Sequence, residues 1–285
     1  MTSMTSRSLF EALQPSRPTS IVDIGASRVD GAPPYQEMLD LAICTVVGFE
    51  PQSKALAELD RRKSANERYL GHAIGDGAEH TLRVAAASGM TSLLEPDPET
   101  LRLFTDFEQF GKVMREEKLQ TRRLDDVDEI AHLDLLKIDI QGGELGAIRC
   151  AAAKLAAAVA IQVEVSFVPL YKMQPVFGEI DLHLRGMGFL PHCFVEQKTW
   201  PLAPFRTLEA RQLLEADVLY VRDFRSPSSM TGEQWKHLAL IAHHCYRSHD
   251  LAMLAIRNAS VLGATSPATT QFYSQLLGSV KKKRR

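Results

Sequence analysis

Four short runs of β-branched and apolar residues, each followed by a turn and then a helical stretch, constrain this chain more than any other feature. They are SIVDIGA at 20–26, TVVGFEP at 45–51, LDLLKIDI at 133–140 and VAIQVEVSF at 159–167. Strands buried on both faces read as near-continuous apolar runs, and strands alternating with helices pair in parallel. The pattern predicts helices over 35–43, 53–63, the stretch after Gly142-Gly143, and 176–187, with a weaker strand at 69–74. Between these lie an expected extra strand at 81–87, a helical excursion over 100–117 and a short strand at 119–124. Runs at 189–195 and 217–224 predict a closing pair with an antiparallel edge. The expected class is α/β, a doubly wound and mostly parallel sheet.

The character changes at Arg225-Ser226-Pro227-Ser228-Ser229, which reads as a linker. Beyond it Trp235, Leu238, Ile241 and Ala242, then Leu251, Leu254 and Ala255, recur at helical spacing. The division that follows is a sheet domain over 1–225 and a helical C-terminal extension over 226–285, suited to capping or homo-oligomerisation. The extension ends in KKKRR at 281–285, which reads as a solvated basic end.

Composition removes several classes. Lys plus Arg number 33 against 35 Asp plus Glu, so no global field marks a nucleic-acid binder. The four cysteines are scattered, which argues against a disulfide framework or a zinc site and suits a reducing, cytoplasmic setting. No apolar run reaches the ~20 residues that span a bilayer. His243, His244, Cys245 and His249 invite a metal reading, but only Cys245 and His249 share a helix face and two ligands make no site, so none is expected.

The chemistry concentrates at strand ends. Asp23, Glu50, Asp139 and Glu164 each stand in or near the C-terminal half of a strand, where open α/β sheets bind ligands. A dinucleotide site needs Gly-x-Gly-x-x-Gly after the first strand, and this chain has Asp23-Ile24-Gly25-Ala26-Ser27 instead. A carboxylate there repels a pyrophosphate but suits the ammonium and sulfonium end of S-adenosylmethionine. Gly25 lets the backbone approach such a ligand, Glu50 can accept from both ribose hydroxyls, and Asp76 is positioned for the adenine amino group. For catalysis the candidates are Asp139 and Glu164, as base or orienting group for an acceptor hydroxyl, with Lys137 as electrostatic partner.

VVGFEP (46–51), LLKIDIQGGELGAI (135–148) and VEVSFVPLY (163–171) resemble the hallmark blocks of the FkbM family of methyltransferases. MTSLLEP (90–96) and TRRLDDV (121–127) are similar to the family's intervening blocks, and the resemblance covers about residues 20–224. It implies a Rossmann-like methyltransferase fold that uses S-adenosylmethionine and methylates a hydroxyl of a sugar, a glycan or a secondary metabolite. The family usually carries Asn at the position of Ser27 and often Gly at that of Val29. Ser27 is thereby a further candidate for cofactor contact. The alternatives are N-methylation on the same fold, or a non-catalytic cofactor-binding module acting through the helical tail.

Overall fold

The computed structural model describes residues 7–27, 31–206 and 212–283; Val29 and the last two basic residues fall outside these ranges. The first half runs α1 (Arg7–Leu13), β1 (Thr19–Ile24), α2 (Gln36–Asp40), β2 (Cys44–Phe49), α3 (Ser53–Arg62), β3 (Glu67–Leu70), β4 (Ala73–Ile74) and β5 (Glu79–Ala85). Then come α4 (Pro98–Leu101), α5 (Phe107–Phe110), β6 (Val113–Arg122), β7 (Leu135–Ile138), α6 (Glu144–Arg149), α7 (Ala152–Leu155) and β8 (Ala160–Ser166). The chain continues through α8 (Phe177–Gly186), β9 (Phe189–Trp200), β10 (Gln212–Arg222), α9 (Gly232–His244), α10 (His249–Val261) and α11 (Pro267–Lys283).

Seven strands form the main sheet in the order β3-β2-β1-β7-β8-β10-β9. The first five run parallel, while β10 is antiparallel to both β8 and β9. The chain winds outward from β1 to β3, returns across the sheet, and winds the other way from β7. The junction of β1 and β7 is therefore the topological switch point, beyond whose carboxyl ends a crevice opens.

Alternation along each strand divides the core. Val22, Ile24, Leu136, Ile138, Ile161 and Val163 face α6, α7 and α8. Ile21, Val46, Leu135, Leu219 and Val221 face the other way, into one cluster with Leu9 of α1, Met38 of α2, Trp235 and Leu238 of α9, Ile256 of α10 and Tyr273 of α11. The C-terminal helices are thus the covering layer of one sheet face. Of the two roles read for them above, capping and homo-oligomerisation, their apolar stripes serve the first, packed on the sheet of the same chain.

Three local expectations change. The 69–74 run divides, with β3 in the main sheet and β4 pairing with β6 in a small three-stranded sheet. The helical excursion at 100–117 is two single turns followed by β6. That strand is exposed and charged over Arg115–Lys118, so its own sequence carries no apolar period, and the antiparallel ladder to β5 decides its conformation. The helix over 35–43 is shortened to five residues, and Ala42 takes a left-handed φ of 53° beyond its end.

The histidines of α9 and α10 are packed against hydrogen-bonding partners. His243 Nδ1 lies 3.0 Å from the Tyr273 hydroxyl, which also lies 3.3 Å from His249 Nδ1. His244 Nδ1 lies 3.1 Å from Glu37, and His237 Nδ1 lies 3.1 Å from Thr19 Oγ1. Burial lowers the pKa of His237 and His244 and brings that of His243 down to about 3. A pKa below the unfolded value of about 6.5 means that the unfolded chain takes the proton first. The stability from these neutral rings is fully present above that value and is lost as the pH falls toward the folded pKa. Thermal melts between pH 7.5 and 4.5 should therefore decline below about pH 6.5, at up to about 1.4 kcal/mol per pH unit for each buried ring. A flatter profile in His243→Gln than in the wild type would tie part of that slope to His243.

Candidate functional site

A cavity of about 240 Å³ opens beyond the carboxyl ends of β1, β2 and β7. Gly25, Ser27, Glu50 and Asp139 line it, so four of the residues singled out from sequence meet there. Gly25 has φ +80°, and a Cβ at its position would stand 1.9 Å from the Asp139 carbonyl oxygen. Glycine is required on both counts, because the loops after β1 and β7 touch at this point. Glu50 is 3% exposed, and its Oε1 accepts from the Gln52 amide at 2.8 Å. Burial raises its pKa, an effect that this hydrogen bond partly opposes.

Asp23 and Asp76 are not among the residues that line the cavity. Asp23 lies on the same sheet face as the C-terminal helices, where its carboxylate accepts from the Tyr35 hydroxyl at 2.6 Å and from Lys137 Nζ at 3.2 Å. Burial alone would lower the Lys137 pKa, but the charges of Asp23, Asp139 and Asp217 overcome this and raise it. Lys137 is thus the ion-pair partner of Asp23 and is not among the residues lining the cavity. Asp76 is half-exposed and closes a turn, accepting from the Ala78 amide at 2.9 Å and lying 2.8 Å from His80 Nε2. His72, Ala73 and Ile74, a few residues earlier, occupy the wall beside Glu50.

At the other end of the cavity the carboxylates converge. Asp139, Glu144 and Glu164 bring oxygen atoms within 4.8 Å of one another. Protein donors hold them. Glu144 Oε1 accepts from the amides of Ile140 and Gly142, closing the loop that Gly142, with φ 99°, allows. Glu164 accepts from Gln141 Nε2 at 2.7 Å and from Lys198 Nζ at 3.0 Å, while Asp139 Oδ1 accepts from the same Gln141 nitrogen at 3.0 Å. Burial pushes Glu144 up to about 7, and burial with the neighbouring charges of Asp139 and Glu215 pushes Glu164 well above the usual carboxylate range. Lys198 is raised by the same carboxylates against the opposing effect of burial. Glu164 is enclosed behind Gln141 and Lys198, whereas Asp139 borders the cavity itself.

Sequence reasoning missed Gln141, Lys198, Ser92 and Tyr171. Gln141 stood within a recognised block, but nothing local announced that its side chain bridges two strands. Lys198 lies on β9 beyond the expected strand end at 195, and only its register opposite Glu215 on β10 brings it to the site. A third group, Gln162, Asp217 and Tyr246, forms a polar row on the face covered by the tail. The Tyr246 hydroxyl donates to Gln162 at 2.9 Å, and Gln162 donates to Asp217 at 2.9 Å.

A fit to S-adenosylmethionine follows from the cavity wall: a glycine where only backbone fits, a buried carboxylate at the end of β2, and a carboxylate at the end of β7. Among the described residues no helix is long and apolar enough to cross a membrane. No match was found among curated proteins. Among solved structures, similarity extends to the precorrin-6y C5,15-methyltransferase of Geobacter metallireducens GS-15, at 11% identity over 76% of this chain and 87% of that one, with a TM-score of 0.38. It extends also to an SAM-dependent methyltransferase of Aquifex aeolicus, at 9% identity over 76% and 89%, TM-score 0.31. The plantazolicin methyltransferase BpumL in complex with SAH is similar at 10% identity over 76% and 80%, TM-score 0.34. The family model described as the methyltransferase FkbM domain matches residues 23–191, more than half of the chain, from the end of β1 into the start of β9. The chain belongs to the FkbM methyltransferase family, and S-adenosylmethionine is its cofactor.

Proposed function

We propose that this methyltransferase transfers its methyl group to a hydroxyl oxygen of a small molecule or glycan, with Asp139 as the base. The observation that carries the reading is a carboxylate bordering the cavity beside Gly25, with one oxygen engaged by Gln141 and no hydrogen bond to Oδ2 among the described residues. An alcohol is a poor nucleophile until it loses its proton, so a positioned carboxylate has a task in O-transfer. When bound, the cofactor supplies an electrophilic methyl group. Held by Gly25, Ser27 and Glu50, it would pass that methyl to the acceptor oxygen and leave as S-adenosylhomocysteine, and Asp139 would take the hydroxyl proton. Glu164, the second candidate read from sequence, is enclosed by Gln141 and Lys198 and supports Asp139 from behind.

Cofactor contact is assigned to Gly25, Ser27 and Glu50, with Glu50 accepting from the ribose hydroxyls. Glu50→Ala should weaken S-adenosylhomocysteine binding by about 1–3 kcal/mol in calorimetry, the cost of leaving buried hydroxyls unpaired. An unchanged affinity moves the ribose elsewhere. The function itself is tested by incubating the protein and S-adenosylmethionine with panels of sugars, glycosides, phenols and amines, and locating the added methyl by mass spectrometry and NMR. Methyl on oxygen supports the reading. Methyl on nitrogen alone replaces it with N-methylation, and cofactor binding without turnover on any panel favours a binding module.

A further inference from the structure

Gln141 is the residue at this site that its backbone explains least. It sits in the loop three residues beyond β7 with φ 57°, a left-handed conformation that glycine adopts freely and a long side chain does not. Such an outlier persists where the surroundings over-determine it. Here the surroundings are specific. Its carbonyl oxygen accepts from Ser92 Oγ at 2.6 Å, and its side-chain Oε1 lies 3.4 Å from the Tyr171 hydroxyl, which is itself 3.1 Å from the Met90 carbonyl. The Nε2 then faces two carboxylates, Asp139 Oδ1 at 3.0 Å and Glu164 Oε2 at 2.7 Å. The amide orientation is decided by this environment, because the opposite flip would set its oxygen against both carboxylates.

We propose that Gln141 is a positioning residue for methyl transfer. Its amide occupies one oxygen of Asp139, ties that carboxylate to the enclosed Glu164–Lys198 pair, and leaves the second oxygen for an acceptor in the cavity. The proposal rests on the reading of Asp139 as the acceptor base. Charged and titratable groups meet Asp139 from every side. Lys137 stands on β7 itself, Glu144 on α6, Glu164 on β8 and Tyr171 on the following loop, with Lys198 on β9 and Asp217 on β10. Glu50 and Glu215 border the same cavity. Within that set Gln141 is the neutral donor that reaches Asp139 directly. Removing that donor leaves the Asp139 carboxylate untied from Glu164 and free to turn away from the cavity.

A cofactor analogue tests this without a known acceptor. Sinefungin carries an amine where the cofactor carries its methylsulfonium group, whereas S-adenosylhomocysteine carries neither. The ratio of their affinities reports negative charge facing the methyl position. Calorimetry of both ligands at about pH 7.5 should show a sinefungin preference in the wild type. In Gln141→Leu that preference should fall several-fold, because the carboxylate loses the amide that holds it, while the affinity for S-adenosylhomocysteine changes little. Gln141→Gly, which keeps the turn at φ 57° without strain, should show the same fall and carries the test if the leucine variant does not fold. Asp139→Asn should abolish the preference. If Asp139→Asn retains it, the base assignment fails. If Asp139→Asn loses it while the glycine variant superimposes on wild type, the assignment stands and the positioning role of Gln141 is overturned.

Discussion

Truncation after Phe224 should leave a chain that does not fold. The sheet face carrying Ile21, Val46, Leu135, Leu219 and Val221 is closed in large part by α9, α10 and α11, and each of these five side chains is at most 1% exposed. Exposing a large apolar side chain costs about 1.5–3 kcal/mol, so five such residues approach or exceed the 5–15 kcal/mol by which a domain is stable. The polar row beneath the tail adds to this, since Gln162 would lose the Tyr246 hydroxyl. Circular dichroism and thermal unfolding of residues 1–224 check the expectation. A cooperative transition with retained cofactor binding would instead restore the boundary suggested by the linker at 225–229.

Asp139→Asn should lower turnover by about 10²–10⁴, the usual contribution of a general base, while cofactor affinity changes little. The amide nearly preserves the shape of the side chain and removes its ability to take a proton. Its remaining carbonyl oxygen can still accept from the Gln141 amide once the new side chain turns that oxygen toward it, so the local fold should persist. Single-turnover assays with the acceptor found by the panel separate three outcomes. A loss of rate at constant affinity supports Asp139 as base. An equal loss of affinity makes it a cofactor ligand. Unchanged rate leaves alignment of the reactants as the source of catalysis. Glu164→Gln should have a smaller effect on rate, because that side chain acts through Gln141 and Lys198.

Much of the architecture was legible in the sequence because it is written in short range. Runs such as TVVGFEP and LDLLKIDI carry the apolar continuity of buried parallel strands, and those strands form one mostly parallel sheet with the antiparallel closing pair. Gly25 and Glu50 were legible for a related reason: in a parallel sheet the ends of neighbouring strands meet, so residues at strand ends converge wherever the helices lie. Asp23 looked equivalent by the same criterion, yet it is paired to Tyr35 and Lys137. Side chains alternate between faces, and only the packed structure shows which face each strand end presents to the cavity.

What tertiary structure alone decided is long-range. The tail is a layer of the core because a doubly wound sheet must cover both faces, and α1 with α2 leaves much of one face open; no local signal in residues 231–283 distinguishes packing on a sheet from packing on a second copy. Lys198 reaches Glu164 through the register of β9 on β10, in which the pairing between Leu213 and Glu215 is shifted, a detail outside any period in the sequence. Gln141 bridges Asp139 and Glu164 because a left-handed turn aims its amide there, and that turn is held by Ser92, 49 residues earlier. Sequence determined the buried strands of the main sheet and which residues stand at their ends. The faces those residues present, the partners that charge or neutralise them, and the cover over the sheet were decided by contacts between segments far apart in the chain.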